Sequence, residues 1–359
     1  MSSDRLVNLR GCLRRERLDA VLLSGHENCI YISGFTGEGH VLVALDAAFV
    51  LTDSRYAEQA GEESPAFELL NVTGTHAEAV AGIVARRGIR RLGLESEHLT
   101  YKQYTGFAEA VAGSGCETSP VYGVVEEMRE IKSDREIDRI RAAGRLACEA
   151  FKRTYPRMAS GITESAFALE LDTEMRRMGA EGPAFPTIVA SGRRGSLPHA
   201  KPSDKVIEEG DMVTVDFGAV LDLYCSDMTR TIAVGDPPPV LIDVYGVVRE
   251  AQQAALARIC PGMTLREADA VAREIIRRAG YGDQFGHGLG HGVGLSVHES
   301  PKVSPKAPES GLVRKGMVIT VEPGVYLPGI GGVRIEDTVR VGEGGVEALA
   351  DFPRDLIVL

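Results

Sequence analysis

An α+β fold in two parts is predicted for this chain of 359 residues: a smaller α/β domain over residues 1–122, a linker over 123–132 and a larger α+β domain over 133–359. Three observations predict it. Helical and strand patterns alternate through the first 122 residues, as in a small domain built on a mixed sheet. At residue 133 the character changes, because Ser133 with Glu136 three positions on forms a capping box that opens a long helix. Beyond it the chain says nearly the same thing twice, in GDMVTVDFG (210–218) and GMVITVEPG (316–324), each a β-rich run ending in an acid and then a glycine. A second acid follows each copy on another strand-like run, SDMTRTIAV (226–234) and GVRIEDTVRV (332–341). Acids at matching places in a repeated unit imply two half-domains across a pseudo-twofold axis, with the acids converging at the seam.

In order along the chain, a helix over 4–17 leads into a strand over 19–23. Short strands are expected at 30–32, 41–45 and 49–52, then helices at 54–61, 76–87 and 100–112. In the larger part, helices are expected over 133–154, 163–178, 239–259 and 264–280, the last opened by a second capping box, Thr264 with Glu267. Strands fill 186–191, 212–217, 223–234, 293–298, 317–322 and 333–341, forming a curved, largely antiparallel sheet.

Composition narrows the function. A formal charge of -11 argues against nucleic acid or an anionic membrane as the main partner. No apolar run approaches the roughly 18 residues of a membrane span, and the charged amphipathic N-terminus does not resemble a signal peptide. Six scattered cysteines without a C-x-x-C pair fit a reduced, cytoplasmic protein.

The chemistry lies in the second part. Its four histidines fall in two motifs, SGRRGSLPHA with His199, and GHGLGHGVGLSVHE with His287, His291 and His298. The glycines of the second motif strip side chains from the backbone, which lets something approach closely. Asp216, Asp227, His291, Glu322 and Glu336 form the economical ligand set for two bridged metals. Carboxylates crowded into one pocket repel and are costly to desolvate unless cations neutralise them, and four are too many for one ion. The set favours Mn²⁺ or Co²⁺ over a structural zinc, with Zn²⁺ left open. On an extended strand Arg334 shares a face with Glu336, so it could orient a ligating carboxylate.

These motifs resemble the M24 metallopeptidases of pita-bread fold, preceded by a creatinase-like N-terminal domain. FPTIVASG (185–192) and LPH (197–199) resemble the branch that cleaves Xaa-Pro bonds, prolidase and aminopeptidase P. The resemblance implies that the five ligands hold two divalent ions and that Glu322 also acts as general base and acid. It implies that His199, His287 and His298 line the substrate site, that Tyr326 and Arg334 support the transition state, and that the chain is a homodimer. The substrates it implies are short proline-containing peptides.

Dipeptidase and aminopeptidase readings differ in whether a cation meets the substrate's C-terminal carboxylate. Lys302 is the candidate, and the dipeptidase is the preferred expectation. A non-catalytic peptide-binding relative or a metal-free creatinase-type hydrolase is disfavoured because no ligand is missing. The N-terminal domain disfavours a methionine aminopeptidase.

Overall fold

In the computed structural model, which describes residues 2–158 and 161–359, the chain divides after Arg129 into two compact units. The first contains α1 (Ser2–Arg15), β1 (Ala20–Leu23), α2 (His26–Ser33), β2 (His40–Ala44), β3 (Ala48–Thr52), α3 (Ala57–Glu63), β4 (Glu68–Asn71), α4 (His76–Arg87), β5 (Arg91–Glu95), α5 (Tyr101–Ala112) and β6 (Glu117–Val121). One mixed sheet runs in the order β4-β3-β2-β1-β5-β6, with β1–β2 and β2–β3 antiparallel and the other pairs parallel. Most of the segment expected to be a linker is helical, as α6 (Val124–Glu130).

Residues 30–32, expected as a strand, belong to α2. Tertiary burial of every residue from Asn28 to Ser33 outweighs the β-branched and aromatic propensity of Ile-Tyr-Ile, and Gly34 ends the helix in a left-handed conformation at φ 87°.

His40 on β2 lies edge-on to Phe107 and His76, with ring centroids 5.3 and 4.9 Å away, and its Nδ1 is 3.0 Å from Ser24 Oγ. Burial, with a smaller contribution from His76, lowers its pKa from 6.5 to about 4. The unfolded chain therefore binds more protons between those values, so stability is fully present above pH 6.5 and falls as pH drops toward 4. We expect a loss on the order of 2–3 kcal/mol across that window. His40→Gln should flatten the slope in calorimetric scans at stepped pH; an unchanged slope would show that His40 is not its source.

The second unit opens with α7 (Asp134–Thr154) and α8 (Glu164–Arg177), followed by β7 (Gly182–Pro183), β8 (Ile188–Ser191), β9 (Met212–Phe217), β10 (Ala219–Leu221), β11 (Tyr224–Cys225) and β12 (Met228–Ala233). Its later half has α9 (Pro239–Arg258), α10 (Leu265–Arg278), β13 (Gly290–Gly292), β14 (Glu299–Val303), β15 (Val318–Val321), β16 (Gly324–Leu327), β17 (Gly331–Arg334), β18 (Asp337–Val341) and β19 (Val346–Ala348). All named strand pairs here are antiparallel.

Both capping boxes form as read, Ser133–Glu136 on α7 and Thr264–Glu267 on α10. Each half then packs a helix pair on its strands: Phe151, Phe167 and Leu171 against Val213, Val215 and Phe217, and Val244, Val248 and Ala272 against Ile319, Val321 and Val333. These apolar layers fix the strand ends that carry the acids. Among the described residues no helix is long and apolar enough to cross a membrane.

Candidate metal centre

All four acids sit where a strand stops. Asp216 is in the last turn of the β9 pleat, Glu322 directly follows β15, and Asp227 and Glu336 occupy the breaks β11–β12 and β17–β18. Two strands expected to be continuous, 223–234 and 333–341, are interrupted at these acids. The halves meet there: Glu336 N–H donates to Thr229 O at 3.1 Å, and buried Arg230 donates to the carbonyls of Thr229 and Glu336 while pairing with Asp337 at 2.8 Å.

The five expected ligands converge. His291 Nε2 lies 3.3 Å from Glu322 Oε1 and 3.6 Å from Asp227 Oδ2, and ligand atoms of Asp227, His291 and Glu336 fall within 4.8 Å of one another. His291 Nδ1 is 3.0 Å from its neighbour's carbonyl, Gly292 O, so in the neutral ring the proton belongs on Nδ1 and the Nε2 lone pair faces the acids. Asp216 Oδ1 and Glu336 Oε1 are buried without a hydrogen-bond partner, while their other oxygens accept from Arg334 (2.6 Å) and Thr229 (2.6 Å). A buried carboxylate oxygen left bare is costly, and two of them beside a bare imidazole nitrogen make a donor set that fits divalent cations.

Electrostatics agree. Burial, then repulsion from the neighbouring acids, pushes Asp227 and Glu336 well above the ordinary carboxylate range. Burial would raise Glu322 too, but His291 Nε2, protonated while no cation is bound, and the Arg334 guanidinium hold it below its usual value. Burial works against the His291 imidazolium, yet Glu322 and Asp216 raise its pKa. One unit of positive charge from Arg334 does not balance four acids.

Arg334, 3% exposed, organises one wall. It donates to Asp216, to Thr229 Oγ1 at 3.1 Å, to Pro198 O at 3.3 Å and to Tyr326 Oη at 2.8 Å. Tyr326 Oη is 3.0 Å from His287 Nε2, and His287 Nδ1 is 2.8 Å from Gly288 O. With the His287 proton on Nδ1, the tyrosine hydroxyl donates to Nε2, giving a directed chain from Arg334 through Tyr326 to His287. His298 is exposed and lies against His291 with the rings tilted, 4.2 Å between centroids. His199 is also exposed, and its charge contributes to lowering both His287 and His298, beneath the larger effect of burial. Lys302 pairs in register with His291 across β13–β14, which places it on the same sheet face, and it is exposed.

Two expectations need correction. Residues 293–298 are not a strand: pairing shifts between His291 and Gly292, and the strands lie on either side. The glycines there admit the protein's own backbone. A Cβ at Gly290 would stand 2.1 Å from Thr320 O, and one at Gly292 would stand 2.1 Å from Ser300 O. The motif is glycine-rich so that β13 can be clasped closely enough to aim His291.

The sequence reading missed the hydroxyls behind the ligands. Thr229 donates to Glu336, Thr320 Oγ1 bridges His291 N–H and Glu322 Oε1, and Thr338 donates to Asp227 O at 2.7 Å. The available signal was each threonine's place two residues or fewer from an acid inside a β-branched run.

A second grouping, Glu95, His98 and Glu126 in the first unit, also has metal-like spacing. There the Asn28 amide nitrogen already lies 2.8 Å from Glu95 Oε1 and 2.6 Å from Glu126 Oε1, and Glu95 Oε2 accepts from the amides of Ser24 and Gly25. Its acceptors are satisfied internally, and it reads as a hydrogen-bonded knot.

The model of "Metallopeptidase family M24" matches residues 138–343, and that of the "Creatinase/Prolidase N-terminal domain" matches 5–131. An uncharacterized peptidase of Bacillus subtilis, YqhT, is 44% identical over 360 residues, covering 100% of both chains. A solved structure described as Xaa-Pro dipeptidase from Bacillus anthracis is 41% identical with TM-score 0.97, again covering 100% of both. One described as X-Pro aminopeptidase from Thermotoga maritima is 39% identical with TM-score 0.87, covering 96% of this chain and 100% of that one.

Proposed function

The chain belongs to metallopeptidase family M24, a creatinase-type N-terminal domain followed by a pita-bread catalytic domain, and from that premise we propose that it hydrolyses the Xaa-Pro bond of dipeptides. The observation that carries the reading is the convergence of Asp216, Asp227, His291, Glu322 and Glu336 with two bare carboxylate oxygens, in a chain that matches an Xaa-Pro dipeptidase along its whole length. In this reading those five residues hold two divalent ions, with Mn²⁺ the first choice. Such ions, when bound, supply Lewis acidity toward the scissile carbonyl and toward the attacking water.

Glu322 takes a proton from the attacking water and returns it to the prolyl nitrogen as the carbon–nitrogen bond breaks. His199 and His298, exposed at the rim, donate hydrogen bonds to the substrate carbonyl as negative charge develops on its oxygen. The Arg334–Tyr326–His287 chain fixes the tautomer and tilt of His287, and Arg334 holds Asp216. An Xaa-Pro bond has no N–H for a peptidase to grip, so shape has to select it.

Lys302 is the proposed partner of the substrate carboxylate, because it pairs in register with His291 on the same sheet face. Ala-Pro should therefore be cleaved in preference to Ala-Pro-Ala by the Mn²⁺-loaded enzyme and by neither substrate's assay after chelation. Lys302→Met should raise KM for Ala-Pro by roughly 10-fold, as expected for a lost charged hydrogen bond worth about 1.5 kcal/mol. Equal or faster cleavage of the tripeptide would favour the aminopeptidase reading, to which the Thermotoga maritima likeness also points.

A further inference from the structure

We propose that Glu164 is a positioning residue for the reaction: its buried carboxylate sets the loop that presents His199 to the substrate. This rests on the reading of His199 as a substrate contact. Glu164 is the first residue of α8, behind the N-cap Thr163, and it is 0% exposed. A glutamate at that depth requires partners, and it has five donors. Its Oε1 accepts from Ser191 N–H at 2.8 Å and Ser191 Oγ at 2.9 Å. Its Oε2 accepts from Arg194 Nε at 2.9 Å, Ser203 N–H at 3.1 Å and Ser203 Oγ at 2.8 Å.

Those donors belong to one loop. Ser191 ends β8, Ser203 lies on the returning limb, and Arg194 stands between them and donates onward to Lys201 O. One carboxylate thus closes the base of the segment 192–202, at whose far side are Pro198 and His199. The rest of the loop is braced from the metal centre, through Arg334 on Pro198 O and through Gly332, whose Cβ would stand 2.2 Å from Gly195 O. His199 therefore sits between two anchors, and Glu164 is the one remote from the ligands.

The other half-domain repeats the device. Asp269 on α10, 1% exposed, accepts from Leu289 N–H at 2.9 Å and pairs with Arg273, whose guanidinium donates to the carbonyls of Phe285 and His287. Each histidine-bearing segment is pinned by a buried carboxylate from the second helix of its half. Backbone bonds that do not use the Glu164 side chain, Glu164 N–H to Lys205 O and Ser165 N–H to Ser203 O, also tie α8 to the returning limb. Glutamine is a poor replacement for the acid, because either orientation turns its NH₂ toward at least one group that can only donate, Ser191 N–H on one side or Arg194 Nε and Ser203 N–H on the other.

The test is a double-mutant cycle in the metal-loaded enzyme, Glu164→Gln with His199→Ala, read with backbone hydrogen exchange and Mn²⁺ affinity. Glu164→Gln should lower kcat/KM for Ala-Pro roughly 10- to 100-fold, speed exchange within 192–203 alone, and leave Mn²⁺ affinity unchanged. In the His199→Ala background it should cost less than about threefold, since residues acting as a unit are not additive. Glu164→Asp should restore part of the activity. Parental kinetics, a fully additive loss, or Mn²⁺ affinity falling in step with activity would each overturn the proposal. If Glu164→Gln does not fold, Ser203→Ala and Ser191→Ala remove single donors and carry the same cycle. If His199→Ala alone turns over normally, the substrate-contact reading fails and the proposal with it; an effect of His199→Ala without one of Glu164→Gln sinks only the proposal.

Discussion

Glu322→Gln is expected to lower Ala-Pro turnover by roughly 10²- to 10⁴-fold, the usual contribution of a general acid–base group, while the protein still folds. Its charge state separates this acid from Asp227 and Glu336. In the metal-free protein His291 and the positive charge of Arg334 keep it below the ordinary carboxylate range, whereas burial and repulsion push Asp227 and Glu336 well above it. Its Oε1 also receives the Thr320 hydroxyl at 3.1 Å, which fixes the carboxylate rotation. Glutamine preserves shape and the backbone bond from residue 322 N–H to Leu289 O, but it cannot take a proton at neutral pH. Turnover and Mn²⁺ stoichiometry should be measured on the same preparation. A glutamine variant that binds the full complement of metal and still turns over within tenfold of the parent would refute the proton-shuttle role.

Arg334→Met should destabilise the chelated protein by about 3–5 kcal/mol, the cost of leaving a buried charge without its partner. Arg334 is 3% exposed and gives Asp216 its one ionic hydrogen bond, at 2.6 Å. Without it Asp216 faces Asp227, Glu322 and Glu336 with no opposing charge from that wall. Lysine should rescue little, because a single ammonium cannot reach Asp216, Thr229, Tyr326 and Pro198 O together. Saturating Mn²⁺ should recover part of the loss, since ligand that binds only the folded state adds to stability. Urea denaturation with and without Mn²⁺ is the measurement. A methionine variant within about 1 kcal/mol of the parent would mean that the acids are neutralised by protons and not by the guanidinium.

Much of this was legible before any coordinates. An acid interrupting an apolar β-branched run cannot be accommodated cheaply unless something binds it, so Asp216 and Glu322 stood out within MVTVDF and MVITVE. Capping boxes are local, and both were read correctly at Ser133 and Thr264 because they depend on residues three apart. The repeat of those acids also pointed to convergence.

What the sequence could not supply concerns partners distant along the chain. Ile30–Ile32 reads as strand from its residue types, yet burial on all sides makes it helix. Glycines 290 and 292 read as room for a close approach, but only the fold shows that the Thr320 and Ser300 carbonyls take it. Glu164 looks like an ordinary acidic residue at a helix start, which is where a surface helix would place one. Only the return of Ser191, Arg194 and Ser203 around it shows a fully buried anion.

Thus the sequence by itself determined the candidate ligand types, their order and the local starts of the helices, because these are set by residue chemistry and by spacings of a few residues. The tertiary structure alone decided which histidine nitrogen faces the acids, which carboxylate oxygens stay bare and what holds each catalytic segment in place. Those depend on hydrogen bonds between residues as far as 136 positions apart, such as Arg334 to Pro198, and their free energy exists only once the two halves have closed on one another.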